Sequence, residues 1–294
     1  MSFSKDLCAA TPFRLDLTAD ALRRLATNVV DTVDEEGVYR RILSDAGGAN
    51  AIEVKQAAPD TVRVTIAGED PQRWLPVVER MLGLNVLLDE WRLRTEPFPW
   101  LASLAHELRG LKPPRYPSVW EALAHAIVFQ QISIHAAASI MRRVVEQLAP
   151  PMAVAAGTLH PFPPPQALLA ASDDVLRSAG LSANKVAHLR SAATAVLDGV
   201  VSQARIETLD TAQALESLTR IRGIGPWSAA VVLLRGFARL GVFPLNDSGV
   251  ARSIRLLSGN HDLDVNALLE ALGPMRGMLY FHLLLGRMRN LTPP

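Results

Sequence analysis

Residues 218–255 read LTRIRGIGPWSAAVVLLRGFARLGVFPLNDSGVARSIR. Ala212, Leu215, Leu218 and Ile221 lead into this stretch at helical spacing. Gly223 and Gly225 then break the pattern and permit positive φ. Pro226 suits the first position of a following helix, where its missing N–H costs nothing, and residues 227–240 continue as that helix. The expectation is a tight helix–turn–helix hairpin. Free backbone N–H groups at the glycine turn and the second helix start would converge on one spot, an anion site suited to phosphate. A glycine turn between packed helices also serves as a plain connection. Asp247 follows Gly225 by 22 residues, in FPLNDSGVAR. Asp before Ser-Gly-Val-Ala-Arg makes a good N-cap. The same position keeps a carboxylate ionised and well oriented, so capping and chemistry are compatible.

LTRIRGIGPWSAA followed by Asp247 resembles the helix-hairpin-helix, Gly/Pro-rich loop and aspartate signature (HhH-GPD) of the DNA glycosylase superfamily. Three further segments resemble it in the same order. VWEALAHAIVFQQISIHAAASIMRRVVEQL (119–148) is similar to its early helix, Gln-Gln loop and next helix. AGLSANKVAHLRSAA (179–193) is similar to its Gly-Leu-Ser…Lys segment, and GPMRGMLYFHLLL (273–285) to its closing helix. The branch it most resembles is DNA-3-methyladenine glycosylase II. The resemblance implies a mainly α fold: two helical subdomains with DNA across the cleft between them, and a small N-terminal α+β domain.

Departures from other branches sharpen the expectation. Cys8 is the one cysteine in the sequence, so the four-cysteine iron–sulfur sites of some branches cannot be built from it. Bifunctional branches carry a lysine two residues after the hairpin glycines, which forms a Schiff base with the sugar. Trp227 stands there, implying a monofunctional enzyme that releases the base and leaves the strand intact. Glycosidic cleavage passes through an oxocarbenium-like state. Asp247 would stabilise that charge and orient or deprotonate the attacking water. Alkylated purines such as 3-methyladenine and 7-methylguanine already carry positive charge, so one carboxylate could suffice. The alternatives are an enzyme of the same fold for another damaged base, such as hypoxanthine or an oxidised purine, and a non-catalytic helix-hairpin-helix module that binds distorted DNA, against which Asp247 at the family spacing argues.

The target base must leave the stack. Aromatic rings favour a cationic base through stacking and cation–π contact. The resemblance puts Trp227 at the base pocket. Tyr280, Phe281 and Phe129 are further candidates, for which helix packing is an equally good reading. Met275 stands where the family often has an aromatic, and offers no π-face. The resemblance assigns DNA contact to Gln130, Gln131, Ile132 and Ser133 of the Gln-Gln loop and to Arg222, Gly223, Ile224, Gly225 and Ser228 of the hairpin. Gln131, with Ile132 beside it, maps to the residue that enters the minor groove; Gln130 and Ser133 could instead cap or brace adjacent helices. The resemblance also implies a monovalent cation, Na+ or K+, held by the backbone carbonyls of Thr219, Ile221 and Gly223. No other cofactor is expected.

Charge fits this placement. The net charge is +1, but residues 1–100 hold 12 basic and 16 acidic side chains, residues 101–219 hold 9 of each, and residues 220–294 hold 9 arginines against 4 acids. Basic charge gathers around the hairpin and Asp247, as phosphate binding requires, although arginines at helical spacing also simply solvate a face. With no run of 18 apolar residues and no visible signal peptide, a monomeric intracellular protein acting on damaged double-stranded DNA, without a membrane, is expected. The N-terminal domain is expected over residues 1–98 and the helical domain over 99–294. Within the first, IEVKQ (52–56) and TVRVTIAG (61–68) alternate around an Ala-Ala-Pro-Asp turn as a hairpin, FRLDL (13–17) suggests another strand, and helices are expected over 19–31 and 72–84. WRLRTEPFPW (91–100) reads as a linker, and the proline runs at 112–117 and 160–165 as extended loops.

Overall fold

The computed structural model describes residues 2–154 and 157–291. An antiparallel five-stranded sheet opens the chain: β1 (Ser2–Cys8), β2 (Thr32–Val33), β3 (Tyr39–Asp45), β4 (Gly48–Ala58) and β5 (Thr61–Ala67), in the order β1-β5-β4-β3-β2. The expected hairpin is β4–β5, with Val54 opposite Val64 and Ile52 opposite Ile66. These alternate side chains are fully buried on one face.

FRLDL is not a strand. Leu15–Arg23 forms a helix that buries Leu15, Leu17, Thr18, Ala19, Ala21 and Leu22. Two alternations are too few to outweigh this longer helical pattern, and Ser2–Cys8 supplies the edge strand instead. The helix expected over 19–31 therefore starts earlier and ends at Arg23. The second expected helix is present as a 3-10 turn, Pro71–Trp74, running into the helix Leu75–Leu82. The segment read as a linker is largely helical, belonging to Asp89–Thr95 and then Pro99–Glu107, and these helices pack Trp91 and Leu101 into a core. The proline runs are loops, and a short strand pair, Met152–Val154 with Gly157–Leu159, was not foreseen.

The rest is helical and has two cores. One joins the sheet to the helices between Val119 and Phe237; the other joins Asp89–Glu107 to the helices after Ser248. Val119–Val128 is buried along its whole length, so it has no polar face, and Pro226–Phe237 is buried from Ser228 onward. They pack closely where Gly236 meets Ala122: a Cβ at Gly236 would lie 2.9 Å from the Ala122 methyl. The sheet is tied to this pair by a buried ionic group. Arg41 donates to Asp31 and Glu121, both at 2.9 Å, and Tyr39 donates to Asp31. Arg235, fully buried on Pro226–Phe237, donates to the carbonyls of Ala21 (2.9 Å) and Leu22 (3.2 Å). It thereby caps the C-terminus of Leu15–Arg23.

In the second core Trp91 donates to His282 Nε2 at 3.2 Å, while His282 Nδ1 donates to the Met278 carbonyl at 2.9 Å. Burial pulls the His282 imidazole down to about 4, against the smaller upward effect of its bond to Met278. The fold thus favours neutral His282. Its contribution is complete above the unfolded-state value near 6.5 and is lost as pH falls towards 4. Unfolding free energy should fall by up to about 3 kcal/mol over that window, and His282→Gln should flatten the fall by about that amount. Denaturant titrations at neutral and acid pH check this; equal slopes in both proteins would contradict it.

Candidate active site and DNA-binding hairpin

The hairpin forms as expected. Its first helix, Thr211–Thr219, begins with a capping box in which Asp210 and Gln213 satisfy each other's backbone N–H groups. The second, Pro226–Phe237, starts with Pro226 at its first turn and Gly225 as N-cap. The two glycines differ. Gly223 has φ +90°, and a Cβ there would lie 2.1 Å from the His188 ring. Gly225 has φ −88°, ordinary extended backbone, and a Cβ would meet nothing within 4 Å. Only Gly223 is required by conformation. Gly225 leaves its exposed surface open to a close approach.

Gln130 holds the turn. Its Nε2 donates to the Gly223 carbonyl at 2.9 Å and to Ser228 Oγ at 2.7 Å. Ser228 is buried, so its hydroxyl braces the loop and is not free at the surface; Ile224 is buried too. Ser133 caps Ile134–Leu148, accepting from Ala136 N. Of the two readings for these residues, the structure shows the brace and the cap. Lys185, in the Gly-Leu-Ser…Lys segment, donates to the carbonyls of Val128 (2.6 Å) and Gln130 (3.0 Å), which pins the same loop. Gln131 is left exposed in a left-handed conformation, φ +57°, beside the exposed Ile132.

Asp247 is the N-cap of Ser248–Ser258. Oδ1 accepts from Gly249 N (2.8 Å) and Val250 N (3.0 Å), and Oδ2 accepts from the Trp227 indole N–H at 3.0 Å. Three donors from two elements therefore fix one half-buried carboxylate. Trp227, expected as a base-pocket ring, is also what aims Asp247.

The other aromatic candidates separate. Phe129 and Tyr280 are partly buried and close to one another through Arg24. The Arg24 guanidinium lies 4.3 Å from the Phe129 ring centroid, and Nη2 donates to the Tyr280 hydroxyl at 3.4 Å. Phe281 is fully buried and edge-on to Tyr280, and Met275 is buried in the second core, so both are packing residues here. Behind Phe129 the rings continue: His125 is 5.7 Å from Phe129 and stacked 4.3 Å from Tyr116, over which Arg235 lies at 4.9 Å. Burial, then the charges of Arg24, Arg235 and Arg41, hold His125 well below its ordinary value, so it is neutral. Arg24, Arg235, Tyr116 and His125 were missed by sequence reasoning. An arginine pair ending an apolar helix, ALRRLA, was the one signal available for Arg24.

Residues 124–274 match the HhH-GPD superfamily of base excision DNA repair proteins. The chain belongs to this superfamily. Among its relatives, a DNA-3-methyladenine glycosylase of Bacillus subtilis is 28% identical over 159 residues, which is 54% of this chain and 52% of that protein. A putative DNA-3-methyladenine glycosylase of the same organism is 25% identical over 252 residues, 83% of this chain and 84% of that protein. The chain thus spans about half the length of the first of these relatives. The solved 3-methyladenine DNA-glycosylase of Archaeoglobus fulgidus has the same fold, with a TM-score of 0.81 at 24% identity over 97% of this chain and 98% of that one. The superfamily's expected architecture, helical subdomains with a small N-terminal α+β domain, is the one observed.

The asymmetry of the hairpin glycines is testable by stability. Gly223→Val should destabilise the protein by about 2–4 kcal/mol, from left-handed strain plus displacement of His188. Gly225→Ala should stay within about 0.5 kcal/mol. Thermal and denaturant unfolding of the two variants check this, and equal losses would refute it.

Proposed function

We propose that this protein is a monofunctional DNA glycosylase that hydrolyses the N-glycosidic bond of alkylated purines, of the 3-methyladenine and 7-methylguanine type, in duplex DNA. The observation that carries the proposal is the Asp247 carboxylate, fixed by Gly249, Val250 and Trp227 beside the hairpin. The names of the relatives support the substrate class.

The reaction follows from the residues. Backbone N–H groups around Gly225 and the start of Pro226–Phe237 would hold a phosphate, helped by the helix dipole. Gln131 and Ile132, exposed on a loop braced by Gln130 and Lys185, would enter the space left by the everted base. As the C1′–N bond breaks, its electron pair leaves with the base, and Asp247 faces the growing positive charge on the sugar. Water bonds to C1′, and its proton passes to Asp247 and on to solvent. Trp227 has no amine with which to attack C1′, so no imine forms and the abasic strand stays intact.

A monovalent cation suits the hairpin. The Ile221 and Gly223 carbonyls accept one bond each, from Ile224 N (3.0 Å) and Gln130 Nε2 (2.9 Å), and each keeps a second lone pair. With Thr219 they offer three neutral oxygens, and a bound cation would add positive charge next to the phosphate.

Incubation with methylated duplex should release free methylpurine, with strand breaks appearing only after alkali. Asp247→Asn should reduce release by at least about a thousandfold while leaving DNA affinity within a few-fold. Breaks without alkali would rule out the monofunctional reading, and near-native turnover by Asp247→Asn would rule out its role.

A further inference from the structure

Arg24 is a cation in an unusual setting. It is 5% exposed, yet no carboxylate among the described residues lies within salt-bridge distance of it. Among the described residues its one side-chain hydrogen bond is the long 3.4 Å contact to Tyr280, and Nε has no partner there. Buried donors are almost always bonded, and each one left unpaired is costly. The side chain is nevertheless held in place. Its backbone has φ 62° and ψ −57° at the end of Leu15–Arg23, a conformation that non-glycine residues rarely adopt. Arg235 fixes that helix end by bonding the Ala21 and Leu22 carbonyls. Burial disfavours the charge, but the oxygens of Tyr116 and Tyr280 and the Asp247 carboxylate outweigh it, so Arg24 stays protonated. Its guanidinium lies over the Phe129 ring, so a cationic base would have to compete with it for that face.

We propose that Arg24 is the leaving-group residue of this site, and that it turns selectivity towards uncharged purines bearing a hydrogen-bond acceptor, such as hypoxanthine, relative to cationic N-alkylpurines. This rests on the glycosylase reading above and widens its substrate class beyond the cationic alkylpurines. The two kinds of base leave differently. A cationic 7-methylguanine takes the C1′–N9 electron pair and departs neutral, so a nearby guanidinium gives it no help and repels it before the bond breaks. Neutral hypoxanthine takes the same pair and departs as an anion. It is stabilised as it forms by the unpaired Arg24 donors, and is then protonated by the proton that the attacking water releases. The charge that develops on the base lies opposite the one that Asp247 stabilises on the sugar. The two groups thus divide the transition state between them.

The test is single-turnover excision from matched duplexes carrying hypoxanthine or 7-methylguanine. Wild type should excise both. Arg24→Met keeps an unbranched stem without the guanidinium, and a methionine is no more strained than an arginine at this φ. It should slow hypoxanthine release by about 30-fold or more while 7-methylguanine release holds or rises, a shift in their ratio that general damage to the fold would not produce. Arg24→Lys, which keeps the charge, should hold the ratio within about threefold of wild type, and Arg24→Gln, neutral and unbranched, should shift it as Arg24→Met does and serves if the methionine variant does not fold. Equal changes for both lesions in Arg24→Met, or a ratio shift in Arg24→Lys as large as that in Arg24→Met, would overturn the proposal. So would wild-type release of 7-methylguanine alone, which leaves the glycosylase reading standing. Release of neither base would overturn both.

Discussion

Three hydrogen bonds to one carboxylate hold this site together. Gly249 N and Val250 N bind one oxygen of Asp247, and the Trp227 indole binds the other. The first two belong to the helix that Asp247 itself caps. The third comes from the second hairpin helix, across the boundary between the two cores. The carboxylate is therefore set by the relative position of the two helical layers. The hairpin that would grip the phosphate is rigidly connected to the group that would act on the sugar. Trp227 makes that connection from the first turn of the second hairpin helix.

The N-terminal sheet domain is not a bystander. Its helix Leu15–Arg23 ends on Arg235, a buried residue of the same hairpin helix, and that end delivers Arg24 to the Phe129 and Tyr280 side of the site. A second buried tie, Arg41 to Glu121, fixes the sheet on Val119–Val128, whose C-terminus leads into the Gln130 loop. Both ties converge on the two central helices, Val119–Val128 and the buried part of Pro226–Phe237. The small domain thus contributes a charge to a site that the helical subdomains would otherwise build alone.

What was legible in the sequence was local. Pro226 after Gly223 and Gly225 marked the hairpin, Asp247 before Ser-Gly-Val-Ala marked an N-cap, and period-two alternation marked β4 and β5. FRLDL misled where the equally short IEVKQ did not: IEVKQ has an alternating partner strand across a tight turn, whereas Leu15–Arg23 continues as a helix whose residues are buried in both cores. The capping and bracing roles of Ser133 and Gln130 were among the alternatives, and the brace made by Gln130 consists of contacts 93 and 98 residues away, to Gly223 and Ser228, which no local pattern announces. Arg24 was out of reach for the same reason: its partner Tyr280 is 256 residues distant. The aromatics could not be sorted into pocket and core by spacing, since Tyr280 and Phe281 are neighbours in sequence yet only Phe281 is fully buried.

The central claim is that Trp227 acts through Asp247. A double-mutant cycle tests it most directly, comparing single-turnover base release by wild type, Trp227→Phe, Asp247→Asn and the double variant. A charge-assisted hydrogen bond contributes about 1.5–3 kcal/mol, so Trp227→Phe alone should slow release by about 10- to 100-fold. In the Asp247→Asn background it should then have almost no further effect. A full, independent loss from Trp227→Phe in that background would contradict the account.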